Sequence, residues 1–587
     1  MQQEKLNKNP QNQDIKFGRR HDGERPSTHE SQPLFVSIRS FFKIATPFWR
    51  SRESLMAWVQ LGLIVLFTAM TIFLAKQFND WYKEFWDYIQ NYNLNGFIGC
   101  LFLFCFLATL HVCTVVYKAY VISALTIRWR KWLTKYYIER YLKRNAFYTL
   151  ALTDAETDNP DQRIADDLNK FVALTISTII SIITDLSMLA TFVIVLWGLS
   201  AAVTVPIMGH EVHLPDGYML YLALVYATLG TIITFVMGRP LVLLNFRQQR
   251  FEADFRYALI RMRENAESVA LYRGSGEEAR RFKFLFGDVV SNYVYLIFKI
   301  KTLGFFTLGY AQTAVIFPII ISAPMYFAHI ITIGSLMQIN SAFGRVQDSL
   351  STLIQNFTSL AEWKAVIDRL ALFEKGISKA ANLPLPTIST VGTNLTIKGL
   401  EVKRPDGVAL LSNFDLELNP GESLLIRGAS GCGKSTFLRS VAGIWPYATG
   451  EIKLPQGKSL FLSQKPYMPL GTLKAAVCYP QQADQTSDEV IAEMLKSVGL
   501  SNLVDKLGSV EQWGMALSLG EQQRIAFIRA FINAPDIIFM DEVTSALDED
   551  NESTLYGMLK TRLPQAIIIS VGHRGTLVKF HTRELKF

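Results

Sequence analysis

Apolar residues gather in long blocks as far as Phe343 and break into short, turn-punctuated runs after residue 395. The blocks are Leu55–Ala75, Phe97–Ile122, Phe171–Val205, Tyr218–Met237, Leu303–Ile321 and Ala323–Phe343. About 20 apolar residues in a helix cross the ~30 Å hydrocarbon core of a bilayer, so six spans are expected. The last is interrupted by Pro324, His329 and Gly334. Ahead of them, Leu34–Trp49 mixes aromatic and apolar residues with Arg39 and Lys43, as an amphipathic helix lying in the membrane interface would. Residues 1–33 are polar and lack an apolar run, the pattern of a disordered tail with no cleavable signal.

Between spans the periodicity turns helical. Tyr136, Tyr137, Tyr141 and Leu142 recur at helical spacing, as do Phe251, Phe255, Leu259 and Met262, so both segments are expected to prolong the spans into water. Gln347–Phe373 continues as an amphipathic helix, and the stretch with Pro384, Pro386 and Gly392 reads as a linker. The division expected is a membrane domain over 50–375, a linker over 376–394 and a second domain over 395–587.

Composition agrees with a membrane domain joined to a polar one: 50% of the chain is hydrophobic and 19% charged. The net charge of +8 would suit nucleic acid, but its placement gives a different reason. Arg128, Arg130, Lys131, Lys135, Arg140, Lys143 and Arg144 fall between the second and third spans. Nine arginines, from Arg239 to Arg281, fall between the fourth and fifth, and residues 208–217 contain no Lys or Arg. The positive-inside rule places the basic segments and both termini in the cytoplasm and leaves no reason to expect a nucleic-acid partner. The cysteines, Cys100, Cys105, Cys113, Cys432 and Cys478, have neither metal-site nor disulfide spacing.

Chemistry enters in the second domain. Gly428-Ala429-Ser430-Gly431-Cys432-Gly433-Lys434-Ser435 fits G-x-x-x-x-G-K-[ST], preceded by the strand-like Ser423–Arg427 and followed by a helix that starts with Thr436. Such a loop points backbone N–H groups at phosphates, with Lys434 reaching the β/γ-phosphates and the Ser435 hydroxyl on Mg²⁺. Farther on, Asp536–Glu542 is an apolar run ending in two acids. Asp541 suits the organising of Mg²⁺ through water, and Glu542 the orienting or deprotonation of the attacking water.

These residues, and the order of the motifs after them, resemble the ATP-binding-cassette transporters over nearly the whole chain. Leu517-Ser518-Leu519-Gly520-Glu521 is similar to the family's signature L-S-G-G-Q, departing at Leu519 and Glu521. The resemblance implies that Ser518, Leu519, Gly520 and Glu521 open a helix facing ATP on a second subunit, with the Glu521 carboxylate turned away from the phosphate. It further implies that Gln464 contacts Mg²⁺ and the attacking water, that Asp548 couples the two ATP sites, and that His573 contacts the γ-phosphate. The family's adenine-stacking aromatic is missing before Pro405, where Arg404 stands; a guanidinium can also stack on a base.

The fold implied is a six-span, exporter-type (type 1) membrane α-helical domain fused to a cytosolic α/β P-loop ATPase domain, with ATP and Mg²⁺ as cofactors. Such a half-transporter pairs with a second copy of itself in the lipid bilayer. Asp158-Asn159-Pro160-Asp161-Gln162-Arg163 and Ser570–Leu577 with His581 resemble the branch holding peroxisomal acyl-CoA half-transporters and bacterial SbmA/BacA-like ATP-driven proteins. In that branch Asn159, Asp161, Arg163 and Glu267 would belong to coupling motifs. A bacterial inner membrane is expected, with an organelle membrane as the alternative. Asp185, with Lys118 and His111, is costly in lipid and is expected to face a cavity or a neighbouring helix. A polar cavity leans towards import of hydrophilic solutes, such as cobalamin or peptides, over acyl-CoA transport or export. A membrane-anchored signalling ATPase or a P-loop kinase would share the loop but leave the signature, the switch histidine or a transport cavity without purpose.

Overall fold

The structure is a computed structural model that describes residues 34–153, 159–200, 203–207, 210–383, 385–429 and 431–587. The expected tail over 1–33 and Ser430 of the phosphate loop lie outside these residues. Two compact units form. One holds the described residues up to Tyr137 together with Asn159–Ala371; the other holds Ile138–Thr153 and the chain from Leu372 onward.

In chain order the helical part comprises α1 (Leu34–Trp49), α2 (Ser54–Gln90), α3 (Leu94–Leu142), α4 (Ala146–Thr153), the single turn α5 (Pro160–Gln162) and α6 (Leu168–Leu199). A hairpin of β1 (Val203–Ile207) and β2 (His210–Leu214) comes next, then α7 (Tyr218–Glu264), α8 (Ala266–Leu271), α9 (Ser275–Phe327) and α10 (Ile333–Ala381). Among the described residues, five helical stretches are long and apolar enough to cross a membrane: Ser54–Gln90, Leu94–Leu152, Pro160–Leu199, Tyr218–Glu264 and Ser275–Phe327. The sixth long helix, α10, has the length but carries Gln338, Arg345, Gln347 and Asp348 near its start.

Three boundaries differ from expectation. The third span ends at Leu199, because the β-branched residues Val203, Thr204, Val205 and Ile207 pair antiparallel with β2 in register Val203↔Leu214. The turn between the last two spans falls after Phe327 and not at Ser322: α9 absorbs Pro318 and Pro324, and α10 starts where Gln90 and Asp87 of α2 accept hydrogen bonds from the Ile333 and Gly334 N–H groups at 2.9 and 3.0 Å. Helix α10 also runs on to Ala381, so the first residues of the linker expected over 376–394 are helical.

Within the membrane-domain unit, α1 is held by aromatic packing. Phe48 stacks on Trp129 at 5.5 Å, and Phe41 lies 5.3 Å from Trp363. Trp363 also donates its indole N–H to Thr175 Oγ1 at 2.8 Å. Helices α7 and α9 run together through stacked Tyr226 and Tyr310 rings, each hydroxyl donating to the other residue's carbonyl. A π-turn, Arg163–Asp167, links α5 to α6. There the buried Asp167 accepts from Arg163 at 2.6 Å and from Arg369 of α10 at 2.7 and 2.9 Å.

The other unit is an α/β domain that packs with the tips of α3 and α10 and with α4. Arg140 donates to both oxygens of Glu374 at 2.7 Å, and Leu152 of α4 lies against the domain's core. Its elements are β3 (Thr387–Thr390), β4 (Leu395–Lys403), β5 (Ala409–Leu418), β6 (Ser423–Arg427), α11 (Lys434–Val441), β7 (Ala448–Leu454), β8 (Ser459–Leu462), β9 (Gly471–Thr472), α12 (Leu473–Cys478), α13 (Asp488–Ser497), β10 (Val510–Glu511), α14 (Trp513–Ala516), α15 (Leu519–Asn533), β11 (Ile537–Asp541), α16 (Glu549–Arg562), β12 (Ile567–Val571) and β13 (Arg583–Lys586). A parallel five-stranded sheet in the order β13-β6-β12-β11-β8 forms the centre, and β3-β7-β4-β5 make a second sheet. The runs Ser423–Ile426, Ile537–Met540 and Ile567–Val571 are buried throughout, as strands covered on both faces require.

Candidate functional site

Ligands of open parallel sheets bind outside the carboxyl ends of the strands, and there β6, β11, β12 and β8 deliver their loops together. β6 runs into the phosphate loop, which turns into α11. Gly433, immediately before that helix, has φ 109°, and a Cβ there would stand 3.3 Å from Leu410, so the loop's tight approach needs a glycine. The buried Lys434 donates its Nζ to the carbonyls of Gly428 and Ala429 at 2.9 and 2.8 Å. Gly431 and Cys432 form the turn above, and Thr436 lies in the first turn of α11.

Ser435 Oγ donates to Asp541 Oδ1 at 2.9 Å, joining the start of α11 to the end of β11. Burial pushes the Asp541 carboxyl above its ordinary range. A hydroxyl and a carboxylate so placed are hard oxygen donors of the kind Mg²⁺ takes, few in carboxylates and leaving room for water and phosphate.

Glu542, one residue past Asp541, has a left-handed backbone at φ 48°. Its N–H donates to the Val571 carbonyl at 3.1 Å, and its own carbonyl accepts from Ser545 N–H at 3.1 Å. This uncommon backbone is held from both sides, and the side chain is presented to two partners. Gln464 Nε2 donates to Glu542 Oε2 at 3.2 Å, and His573 Nε2 lies 3.3 Å from Glu542 Oε1. Three residues far apart in sequence thus meet at one carboxylate.

The segment Ser518–Glu521 opens α15. Ser518 is the N-cap, and its side chain accepts from Glu521 N–H while the Glu521 carboxylate accepts from Ser518 N–H at 2.9 Å and from its hydroxyl at 2.8 Å. This capping box gives the departure at Glu521 a structural reason, and the spacing S-x-x-E carried that signal in the sequence. Leu519 is exposed, and Gly520 lies beside Ala546. Asp548 caps α16 by accepting from Asn551 N–H at 2.7 Å.

Two residues here went unread in the sequence. Gln523 is fully buried and binds both the Gln464 loop and the Ser545 turn. Glu552, also fully buried, accepts from Thr544 at 2.7 Å and Thr576 at 2.6 Å. Behind β12, the carbonyl of Leu577 fixes His581 as the Nδ1–H tautomer, which leaves Nε2 to accept from Ser570 Oγ at 2.9 Å. Arg404 lies 3.8 Å from Asp406 and lines a cavity of about 170 Å³ shared with Pro405 and Tyr447.

Away from this domain, Asn159 has φ 49° and stands at the N-cap position of α5 without a side-chain capping bond, Asp161 is exposed, and Arg163 belongs to the Asp167 cluster. Glu267 is exposed on α8. Asp185 is half-buried on α6, accepts from Ser181 Oγ at 3.0 Å and interacts electrostatically with Lys118 of α3.

The family described as ABC transporter transmembrane region 2 matches residues 41–327, and that described as ABC transporter matches residues 411–545. An ABC transporter ATP-binding protein of Haemophilus influenzae, itself uncharacterized, is 36% identical over 93% of this chain and 92% of its own length. The chain belongs to the ABC transporter family. The transporter is also 31% identical to the inner membrane ABC transporter ATP-binding protein YddA of Escherichia coli, over 92% of this chain and 96% of that one. It is 28% identical to the human lysosomal cobalamin transporter ABCD4, over 93% of both chains. In fold it is similar to a bacterial Atm1-family ABC exporter with ATP bound, at a TM-score of 0.67 and 16% identity over 92% of this chain and 94% of that one. The transporter is therefore a membrane domain of exporter fold joined to an ABC ATPase domain, with relatives among subfamily D and bacterial half-transporters.

Proposed function

We propose that this transporter hydrolyses ATP as a dimer of identical chains and uses it to import a hydrophilic solute, of the class of cobalamin or a peptide, across a bacterial inner membrane, with both termini cytoplasmic. The meeting of Gln464, His573 and Glu542 at one carboxylate carries the hydrolytic part of this reading. Glu542 accepts the proton of the attacking water, Gln464 and His573 orient that carboxylate and the γ-phosphate, and Lys434 with the N–H groups of the loop and α11 balances phosphate charge. Ser435, Gln464 and, through water, Asp541 would hold Mg²⁺, which when bound neutralises phosphate charge. Ser518–Glu521 of the second copy would complete the site, with Asp548 joining the two halves. Arg404 would stack on adenine.

Hydrophilic cargo is favoured by Asp185, Ser181 and Lys118, polar groups placed within helices that read as spans. The cobalamin transporter among the relatives points the same way. Coupling would run through Asn159, Asp161, Arg163 and Glu267. The test is an uptake screen in proteoliposomes whose ATPase domains face outward, with ATP outside, against cobalamin, peptides and acyl-CoA esters. ATP-dependent loss of entrapped cobalamin or peptide to the outside supports import, because the outer solution stands for the cytoplasm. Accumulation from the outer solution would instead make the protein an exporter, and movement of acyl-CoA alone would move the cargo to that class.

A further inference from the structure

Gln523 lies in the second turn of α15, fully buried, and its side-chain amide uses both ends. Nε2 donates to the Gln464 carbonyl at 2.9 Å and to Ser545 Oγ at 3.1 Å, while Oε1 accepts from Ala546 N–H at 3.0 Å. Both groups it holds lead to Glu542: the Gln464 side chain donates to that carboxylate, and Ser545 N–H donates to the Glu542 carbonyl. Gly520 on the same helix tightens the arrangement, since a Cβ there would stand 3.1 Å from the Ala546 carbonyl. The helix whose N-terminus is capped by Ser518 and Glu521 is thus pinned, within its own chain, to the two loops that place the hydrolytic carboxylate.

We propose that Gln523 is a positioning residue for ATP hydrolysis. It fixes Gln464 against Glu542 and so transmits the placement of α15 to the catalytic carboxylate of the same chain. The inference rests on the hydrolytic reading of Glu542. Its chemistry is specific to an amide: one group must donate to a carbonyl and accept from an N–H at once. A glutamate of the same shape keeps the Ala546 bond and can accept from the Ser545 hydroxyl, but it sets a carboxylate oxygen against the Gln464 carbonyl.

The test is a double-mutant cycle on the full-length transporter in proteoliposomes, comparing wild type, Gln523→Glu, Gln464→Ala and the double variant by kcat and KM for MgATP. A hydrogen bond to a buried partner is worth on the order of tenfold in rate when its loss is felt at the transition state. The expected result is a kcat about tenfold lower for Gln523→Glu with KM nearly unchanged. In the Gln464→Ala background the same change should lower kcat by no more than about twofold, because the side chain it positions is gone. Equal losses in both backgrounds, or a wild-type kcat for Gln523→Glu, would overturn the proposal. Should Gln523→Glu fail to assemble, Ser545→Ala removes one of the two acceptors of the Gln523 Nε2 group while leaving the core filled. It should lower kcat in the wild-type background and not in Gln464→Ala, and equal effects in both would again count against the proposal. A wild-type protein without MgATP hydrolysis would sink the reading of Glu542 itself, whereas an active wild type with additive losses sinks only the role of Gln523.

Discussion

The Gln464 side-chain amide stands 3.2 Å from the Glu542 carboxylate, which joins the loop after β8 to the tip of β11 through one hydrogen bond. His573 approaches the other oxygen of that carboxylate from the loop after β12. Parallel pairing in the register Asp541↔Val571 makes this meeting possible, because it brings the carboxyl ends of β11 and β12 level.

Behind β12, His581 gives the domain a pH dependence. Burial holds its imidazole below the ordinary value of 6.5. A base depressed in the fold is protonated first in the unfolded chain, so the stability of the neutral form is whole above pH 6.5 and is lost as pH falls from there through the folded value. Thermal melts of the full-length protein should show the midpoint dropping between pH 7 and pH 5.5, and His581→Gln, which cannot titrate, should lose part of that slope. An identical slope in both proteins would remove His581 from the account.

The Arg163–Asp167–Arg369 cluster should be a structural necessity of the membrane domain. Asp167 is almost wholly buried and pairs with two guanidinium groups, and removing one partner of a buried charge set costs about 3 kcal/mol. Asp167→Ala should therefore lower the yield of folded protein and the melting midpoint, whereas Asp161→Ala, on the exposed first turn, should leave both unchanged. Equal stability of the two variants contradicts this assignment.

At the head of α15 the capping box separates shape from charge. Glu521→Ala removes the acceptor of the Ser518 N–H and should cost about 1 kcal/mol, while Glu521→Gln keeps the box. Denaturant titration of the three proteins reads this directly, and a Gln variant as unstable as the Ala variant would show that the charge is what matters.

Much of the nucleotide site was legible because its chemistry is written in contiguous motifs. Gly428–Ser435 and Asp541–Glu542 each sit where a buried strand ends, and strand burial shows as an unbroken apolar run. Gln523 was hidden for the opposite reason: its three partners come from two loops distant in sequence, and a buried glutamine looks like any polar residue on a helix. The shifted boundaries have similar physical origins. The fifth and sixth blocks are expected to part at Ser322, but α9 runs on through Pro324 and the turn waits for the capping by Asp87 and Gln90. The β-branched end of the third apolar block fits a span by hydropathy and a hairpin strand by geometry, and pairing with β2 decides for the strand.

The central claim, that Glu542 is the base for ATP hydrolysis powering transport, is tested most directly by MgATP hydrolysis and solute movement of wild type and Glu542→Gln in proteoliposomes. General-base catalysis supplies about 10²–10⁴-fold, so the variant should hydrolyse ATP at least about a hundredfold more slowly, still bind it, and move no solute. Hydrolysis and transport by Glu542→Gln at the wild-type rate would contradict the account.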